Sequence, residues 1–417
     1  MATTKKRRKV VFVNRYFHPD ISATSQMLSD VAFHLVQQHV SVHVVTSRQR
    51  YDNAAANLPD LTIVNGVRVS RVWSSHFGRG GLLGRALDYL TFYVSAGVRL
   101  LQLVHRGDVV VAKTDPPMIS FVAYLIARLK RAVLVNWVQD VFPDIARVLK
   151  VAGVNGVQAE LLGRMRNLTL SHAKLNIVPG ERMQRVLLSK TAIRPSSMRV
   201  IHNWADGTRL RDTPSAANTL RHAWMLEGKF VIGYSGNMGR VHEFGTLLQA
   251  AERLRDRTDV VFLFIGEGAR REEIEHWAAD KRLNNIVIKP YQQQDVLANS
   301  LTVPDVHIVS LLPAVEGLCV PSKLYGIMAS GRPVVFIGDP NGEVATIIRE
   351  AACGTTVVPG DAKSLVATLE KLAGNPILRE EQCRNARMAF DQKFDKPHAM
   401  SAWTGAINEL LKYEART

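Results

Sequence analysis

Short runs of β-branched and aromatic residues recur along the chain, separated by stretches whose apolar positions fall three and four residues apart. In the first half these runs predict strands at Val10–Asn14, Val40–Thr46, Val67–Trp73, Val109–Lys113, Val133–Gln139, Leu175–Val178 and Arg199–His202. Between the first two, Met27, Leu28, Val31 and Leu35 share one helical face, with Ser22 or Thr24 available to cap it. The second half repeats the alternation, with strands at Phe230–Tyr234, Val260–Ile265, Ile286–Lys289, Val306–Leu311, Pro333–Ile337 and Thr355–Val358. A helix carrying Phe244, Leu247, Leu248, Ala251 and Leu254 follows the first of these. Strands that alternate with helices predict parallel sheets covered on both faces, so each half is expected to be a Rossmann-like α/β domain. The expected division is a first domain over 1–205, a linker over 206–228, a second domain over 229–395 and a final segment over 396–417. Within that segment Pro397–Glu414 reads as an amphipathic helix, with Trp403, Ile407, Leu410 and Leu411 on its apolar side.

Composition narrows the class. The 417 residues suffice for two domains, and 47% hydrophobic content supplies their cores and argues against long disorder. No run reaches the roughly 18 apolar residues of a spanning helix, and Met118–Ala127 reads as a buried helix instead. The basic run Lys5–Lys9 leads into only Val10–Val13, too short for a secretory core of roughly 7–15 residues, so no leader is expected. Cys319, Cys353 and Cys383 lie far apart with no CxxC spacing, which fits a reducing cytoplasm rather than a disulfide framework or zinc site. The net charge of +16 is unevenly placed: residues 1–205 hold 28 Lys and Arg against 11 Asp and Glu, whereas 206–417 hold 25 against 26. A half that carries the whole excess is expected to face something anionic, a membrane surface or nucleic acid, or else to be a solvated basic surface. The KKRRKV run at Lys5–Val10 also has the form of a nucleic-acid or nuclear-import tag, but it reads better as a charged lead-in to the first strand. Leu82–Val104 mixes leucines and aromatics with Arg85 and Arg99, and Arg106 follows, a pattern open to both a sheet-packed helix and one lying in a membrane interface.

Neither half opens with GxGxxG, and no Walker A loop, HExxH, GxSxG or DxD pair occurs, so most common cofactor and metal chemistries lack support. Two other segments carry chemistry. In Gly233–Leu248, GYSGNMGRVHEFGTLL, a strand is expected to end at Tyr234. A loop then holds Gly236, Asn237 and Gly239, and a helix is expected to start near Glu243. Free backbone N–H groups and a positive helix end make such a turn an anion site, and Arg240 and His242 lie beside it. Glycines that merely permit a tight turn are the plainer account. In Glu316–Val335, EGLCVPSKLYGIMASGRPVV, Pro321 and Gly331 bracket a helix over roughly Ser322–Ser330. Ser322 and Lys323 stand at its start, where a lysine opposes the helix dipole unless a ligand compensates. Glu316 precedes it as a candidate acceptor of hydrogen bonds from sugar hydroxyls.

These segments resemble glycosyltransferase family 4. YSGNMGR, the FIGEG turn at Phe264–Gly268 and PSKLYGIMASGRPVV are similar to landmarks of its donor domain. YFHPDISATSQ at Tyr16–Gln26 and VQDVFPD at Val138–Asp144 resemble acceptor-side loops of bacterial surface-polysaccharide enzymes, and IHNWADG at Ile201–Gly207 resembles their interdomain segment. The resemblance implies a GT-B fold, two Rossmann-like domains facing across a cleft, with the final helix crossing back to the first. It implies a retaining, hexosyltransferase-like, metal-independent enzyme. The donor would be a nucleoside diphosphate sugar (UDP or GDP) as co-substrate with no other cofactor, and the acceptor a lipid-linked glycan in exopolysaccharide, capsule or O-antigen assembly. The location implied is the inner face of the plasma membrane, held peripherally through the basic N-terminal half, with no nucleic acid.

On this reading Asp140, Arg240, Lys323 and Glu316 are catalytic candidates. Gly236, Asn237, Gly239, His242, Glu267 and Ser322 are donor contacts, and His18, Ser25 and Gln26 acceptor contacts. One departure stands out: the family's second glutamate, counted from Glu316, falls on Leu324, or on Gly326 if the downstream Met–Ala is the anchor. The alternatives are a nucleotide-sugar epimerase of the same fold and a basic nucleic-acid-binding protein.

Overall fold

The computed structural model describes residues 8–53, 55–77, 82–151, 154, 156–210, 218–293 and 295–413. The start of the basic run, residues 5–7, and part of the expected linker, residues 211–217, lie outside the described residues. The chain divides into two compact units, one of residues 1–201 with 400–417 and one of residues 202–399.

The first unit is built on eight strands: β1 (Lys9–Val13), β2 (Ser41–Ser47), β3 (Leu61–Val64), β4 (Val67–Val72), β5 (Val109–Lys113), β6 (Val133–Trp137), β7 (Leu175–Val178) and β8 (Met198–Val200). Its helices are α1 (Ala23–Gln37), α2 (Leu82–Leu103), α3 (Ile119–Lys130), α4 (Asp144–Val148), α5 (Gly156–His172) and α6 (Glu181–Lys190). The sheet order is β3-β4-β2-β1-β5-β6-β7-β8, parallel except for the β3–β4 hairpin. β1, β5 and β6 are almost wholly buried, which is why they read as continuous Val-rich runs rather than alternating ones. The hairpin strand β3 is absent from the expected set. Its turn is Asn65–Gly66, both at positive φ (49° and 80°), the pair that a two-residue hairpin favours.

The second unit has six parallel strands: β9 (Phe230–Ser235), β10 (Val260–Ile265), β11 (Ile286–Lys289), β12 (Val306–Ser310), β13 (Val334–Ile337) and β14 (Gly354–Val357). They lie in the order β11-β10-β9-β12-β13-β14, the 3-2-1-4-5-6 arrangement of a doubly wound sheet. Its helices are α7 (Thr219–Ala223), α8 (Gly245–Arg253), α9 (Arg271–Asp280), α10 (Leu297–Thr302), α11 (Lys323–Ala329), α12 (Glu343–Glu350), α13 (Ala362–Gly374) and α14 (Pro376–Ala389). Aromatic and aliphatic side chains of β9 and β10 (Tyr234, Phe262, Phe264) pack with Phe244, Leu247 and Leu248 in its largest core. Residues 218–228, expected as linker, are folded here: Asn218 caps α7, and Arg221 within that helix pairs with Asp305 at 3.1 Å.

The last helix, α15 (Lys396–Tyr413), returns the chain to the first unit from Met400 onward. Trp403 is fully buried there, its ring 4.4 Å from Trp137 and 6.4 Å from Phe12 between centroids. His34 meets Thr404 at 3.1 Å, and Arg199 pairs with Glu409 at 2.8 Å.

Candidate active site

In a doubly wound sheet the strand order reverses at one point, and the loops leaving the carboxyl ends on either side diverge to open a crevice. In the second unit that point lies between β9 and β12. The loop after β9 is Gly236–Phe244, and the loop after β12 runs to Ser322. They are stitched together: His242 Nδ1 lies 2.6 Å from the Ser310 carbonyl, and the Leu312 N–H donates to the Val241 carbonyl at 2.9 Å. Burial, then the charge of Lys323, lowers the His242 pKa to about 3, so the ring is a neutral donor toward Ser310. His242 is therefore a brace between the two loops rather than a second phosphate cation.

The glycines here answer to close backbone approach. Gly236 has φ +116°, and Gly266, at φ +138°, passes so near that a Cβ on it would stand 2.2 Å from the Gly236 carbonyl oxygen. Gly268, at φ +149°, would place a Cβ 2.5 Å from the Met238 carbonyl oxygen. The Met238 N–H in turn donates to Glu267 O at 2.7 Å. The FIGEG turn is thus the support on which the Gly236 loop rests. Gly268→Ala is expected to cost on the order of 2–3 kcal/mol and lower the thermal midpoint by roughly 5–10 °C, which scanning calorimetry would read directly.

Lys323 opens α11, and its Nζ sits 3.5 Å from the centroid of the buried Tyr234 ring at the end of β9. Its Cε would be 3.5 Å from a Cβ on Gly236. The ammonium is out of contact with solvent and makes no hydrogen bond among the described residues, and burial holds its pKa well below the ordinary lysine value. The hydroxyls of Ser235 and Ser310, at the carboxyl ends of β9 and β12, are also buried without a hydrogen-bond partner among the described residues. Three unpaired polar groups at one switch point are what a polar ligand would satisfy. Arg240 and Asn237 are exposed on the loop above, and Arg240 makes no ion pair with the described residues. Ser322 precedes α11 with no side-chain cap of its own.

Other expected donor residues are differently employed. α8 begins at Gly245, near Glu243 as expected, and the Glu243 carboxylate accepts from the Thr246 N–H at 2.9 Å and takes up part of the helix's positive end. Glu316 Oε1 accepts from the Glu343 N–H at 2.9 Å, so this carboxylate caps α12 from a loop 27 residues upstream. Glu267 is half-exposed and bonded to Arg271. Sequence reasoning passed over Glu343, a buried carboxylate at the first position of α12.

The first unit has its own switch point, between β1 and β5. Arg15, just past β1, donates its N–H to the Asp115 carbonyl at 2.7 Å, and the Thr24 hydroxyl reaches the Asp115 carboxylate at 3.3 Å. Lys113 ends β5 fully buried, its Nζ 3.4 Å from the Trp137 ring centroid and without a hydrogen-bond partner. Burial lowers its pKa strongly, against the opposing charges of Asp115 and Asp140. Asp140 follows β6 beside a small pocket lined by Thr114, Ser120, Asn136, Arg166 and Thr169. Asp140 is an exposed residue, yet the protein packed around it, then Asp115, raises the pKa to about 6, with Lys113 opposing. Lys113 was not among the expected site residues because a lysine closing a Val-rich strand reads as its soluble end.

Two acceptor candidates are corrected. Ser25 is fully buried and donates to the Asp20 carbonyl at 3.1 Å, which fixes the turn into α1. The Gln26 amide folds back on its own loop, donating to the Ile21 carbonyl at 2.6 Å. His18 remains exposed, its ring edge-on to Phe33.

Residues 218–389, which contain the second unit's switch point and both its loops, match the family described as glycosyl transferases group 1. The chain is 27% identical over 297 residues to "Probable glycosyltransferase WbjE" of Pseudomonas aeruginosa, covering 70% of this chain and 72% of that one. It is likewise 27% identical over 291 residues to "Putative colanic acid biosynthesis glycosyl transferase WcaI" of Escherichia coli, covering 69% of each. Among solved structures, Anabaena HepE in complex with UDP-glucose superposes with a TM-score of 0.72 at 15% identity, over 96% of this chain and 99% of that one. The fold is GT-B, and the chain is similar to glycosyltransferases of bacterial polysaccharide assembly.

Proposed function

We propose that this glycosyltransferase moves a sugar, with retention at the anomeric carbon, from a nucleoside diphosphate sugar to a lipid-linked glycan at the cytoplasmic surface of a membrane. The carrying observation is the Lys323 ammonium, buried and without a hydrogen-bond partner beside the Gly236 loop. A diphosphate arriving there would supply the missing counter-charge, and the HepE complex supports uridine as its nucleoside. As the bond between C1 and the diphosphate oxygen breaks, negative charge grows on the leaving group. Lys323, the Asn237 N–H group, the Ser235 and Ser310 hydroxyls and Arg240 are preorganised donors for it. The acceptor oxygen bonds C1 on the face the diphosphate leaves, and its proton passes to a departing phosphate oxygen. The cations of the chain itself carry the charge that a divalent metal supplies in other transferases.

The test is transfer from a panel of UDP- and GDP-sugars to a lipid-linked glycan in the presence of EDTA, with the anomeric configuration of the product read by NMR. Retained configuration and EDTA-insensitive transfer are the expected results. Epimerised free sugar without transfer would instead establish the epimerase.

A further inference from the structure

Helix α2 is apolar on two sides, and only one of them is covered. Phe92, Ala96 and Leu100 are fully buried in the core of the first unit. Leu83, Leu87, Leu90, Val94, Val98 and Leu101 face solvent, 38–83% exposed. Their three- and four-residue spacing makes one continuous stripe along a helix of 22 residues, roughly 33 Å. The other exposed positions of α2 among the described residues are Arg85, Ala86 and Gln102, none of them acidic. Its one acid, Asp88, is buried, accepting from the Ser75 hydroxyl and the Phe77 N–H.

Neighbouring elements extend the stripe. Gly97 lets α3 approach until a Cβ would stand 3.3 Å from Val122, and α3 adds the exposed Leu125 and Leu129. Phe77, 68% exposed, packs over Gly84 near the start of α2. Arg85 and Arg106 lie near the two ends of α2, and Arg128 and Arg131, both exposed, near the end of α3. A soluble monomer rarely leaves so long an apolar surface open.

We propose that the α2–α3 ridge docks on an anionic lipid bilayer, its leucines and valines entering the headgroup–acyl boundary and its arginines meeting lipid phosphates. Charge complementarity selects this occupant: the ridge is rimmed by arginines and belongs to the half of the chain with 28 basic and 11 acidic residues. Among the described residues no helix is long and apolar enough to cross a membrane, and α2, with one face sealed on the core, lies along the surface. The inference rests on the proposed reading only in that docking would bring the chain to a lipid-linked acceptor.

The test is co-sedimentation of the full chain with vesicles of phosphatidylcholine containing 30% phosphatidylglycerol. The wild type and a Leu87→Gln, Val94→Gln double variant are compared. Both changes are at exposed positions, so the melting temperature and its upward shift with UDP serve as controls for folding and donor binding. The expected result is at least a tenfold weaker vesicle affinity with both controls unchanged. Wild-type binding is expected to weaken several-fold in 0.5 M salt or on pure phosphatidylcholine. Equal binding by wild type and variant would overturn the assignment of the ridge. So would a wild-type chain that is dimeric by analytical ultracentrifugation and becomes monomeric in the variant, which would show the stripe covered by a second copy. Vesicle binding that depends on the stripe in a protein that transfers no sugar would overturn the proposed reaction and leave the docking surface standing.

Discussion

Replacing Lys323 by alanine is expected to lower turnover by about two to three orders of magnitude while leaving the protein at least as stable as before. The catalytic loss follows from removing a preorganised cation where leaving-group charge develops, an effect of roughly 3–4 kcal/mol for a single well-placed donor. The stability argument has the opposite sign. Burial pushes the folded-state pKa of Lys323 well below its unfolded value, so at neutral pH folding works against protonation of this group, and that cost falls as pH rises. Alanine removes the cost. Rate and melting temperature measured together therefore separate a ligand-binding lysine from a packing residue, whose loss would lower both. A variant with unchanged turnover would sink the diphosphate assignment. Arg240, on the exposed part of the loop, is expected to show a smaller loss of the same kind.

Asp140→Asn is the second large effect, a fall in turnover of about 10²-fold together with a changed pH profile. In the wild type the protein packed around the carboxyl, then Asp115, raises its pKa to about 6. If the ionised form assists the acceptor hydroxyl, the rate should fall as pH drops below about 6, and the asparagine variant should lack that limb. Because the folded pKa is raised, the native state retains a proton that the unfolded state has released between roughly pH 4 and 6, so this carboxyl favours folding in acid and opposes it above. The variant is therefore expected to be no less stable at pH 7. A variant that keeps the acid limb would assign it to another group.

The architecture was open to reading because parallel strands buried on both faces must be continuous apolar runs. All thirteen expected strands are present within a residue or two at their ends. β3 escaped because Leu61 and Ile63 point outward, leaving no buried alternation to see, although Asn65–Gly66 marked its turn. At the site, Lys323 and the Gly236 loop were legible because glycines and a lysine at a helix start conflict with local propensity unless a ligand resolves the conflict. Glu316 was read as a sugar contact because a loop carboxylate gives no sign that a helix starting 27 residues later will claim it. Ser25 was misread for a related reason: it is polar in a loop-like motif, yet its hydroxyl satisfies a buried carbonyl. Lys113 was hidden because the Trp137 ring and the Asp140 carboxyl that surround it come from a stretch of chain more than 20 residues away.

The placement of Trp403 between Phe12 and Trp137 has a consequence for synthesis. On the ribosome the amino-terminal sheet emerges first, but the indole that closes it is translated only after the intervening residues 202–399. At elongation rates of roughly 5–20 residues per second that is a wait of roughly 10–40 s. The unit that starts the chain is therefore the later of the two to be completed, and in the interval Phe12 and Trp137 present an unfilled aromatic socket to chaperones.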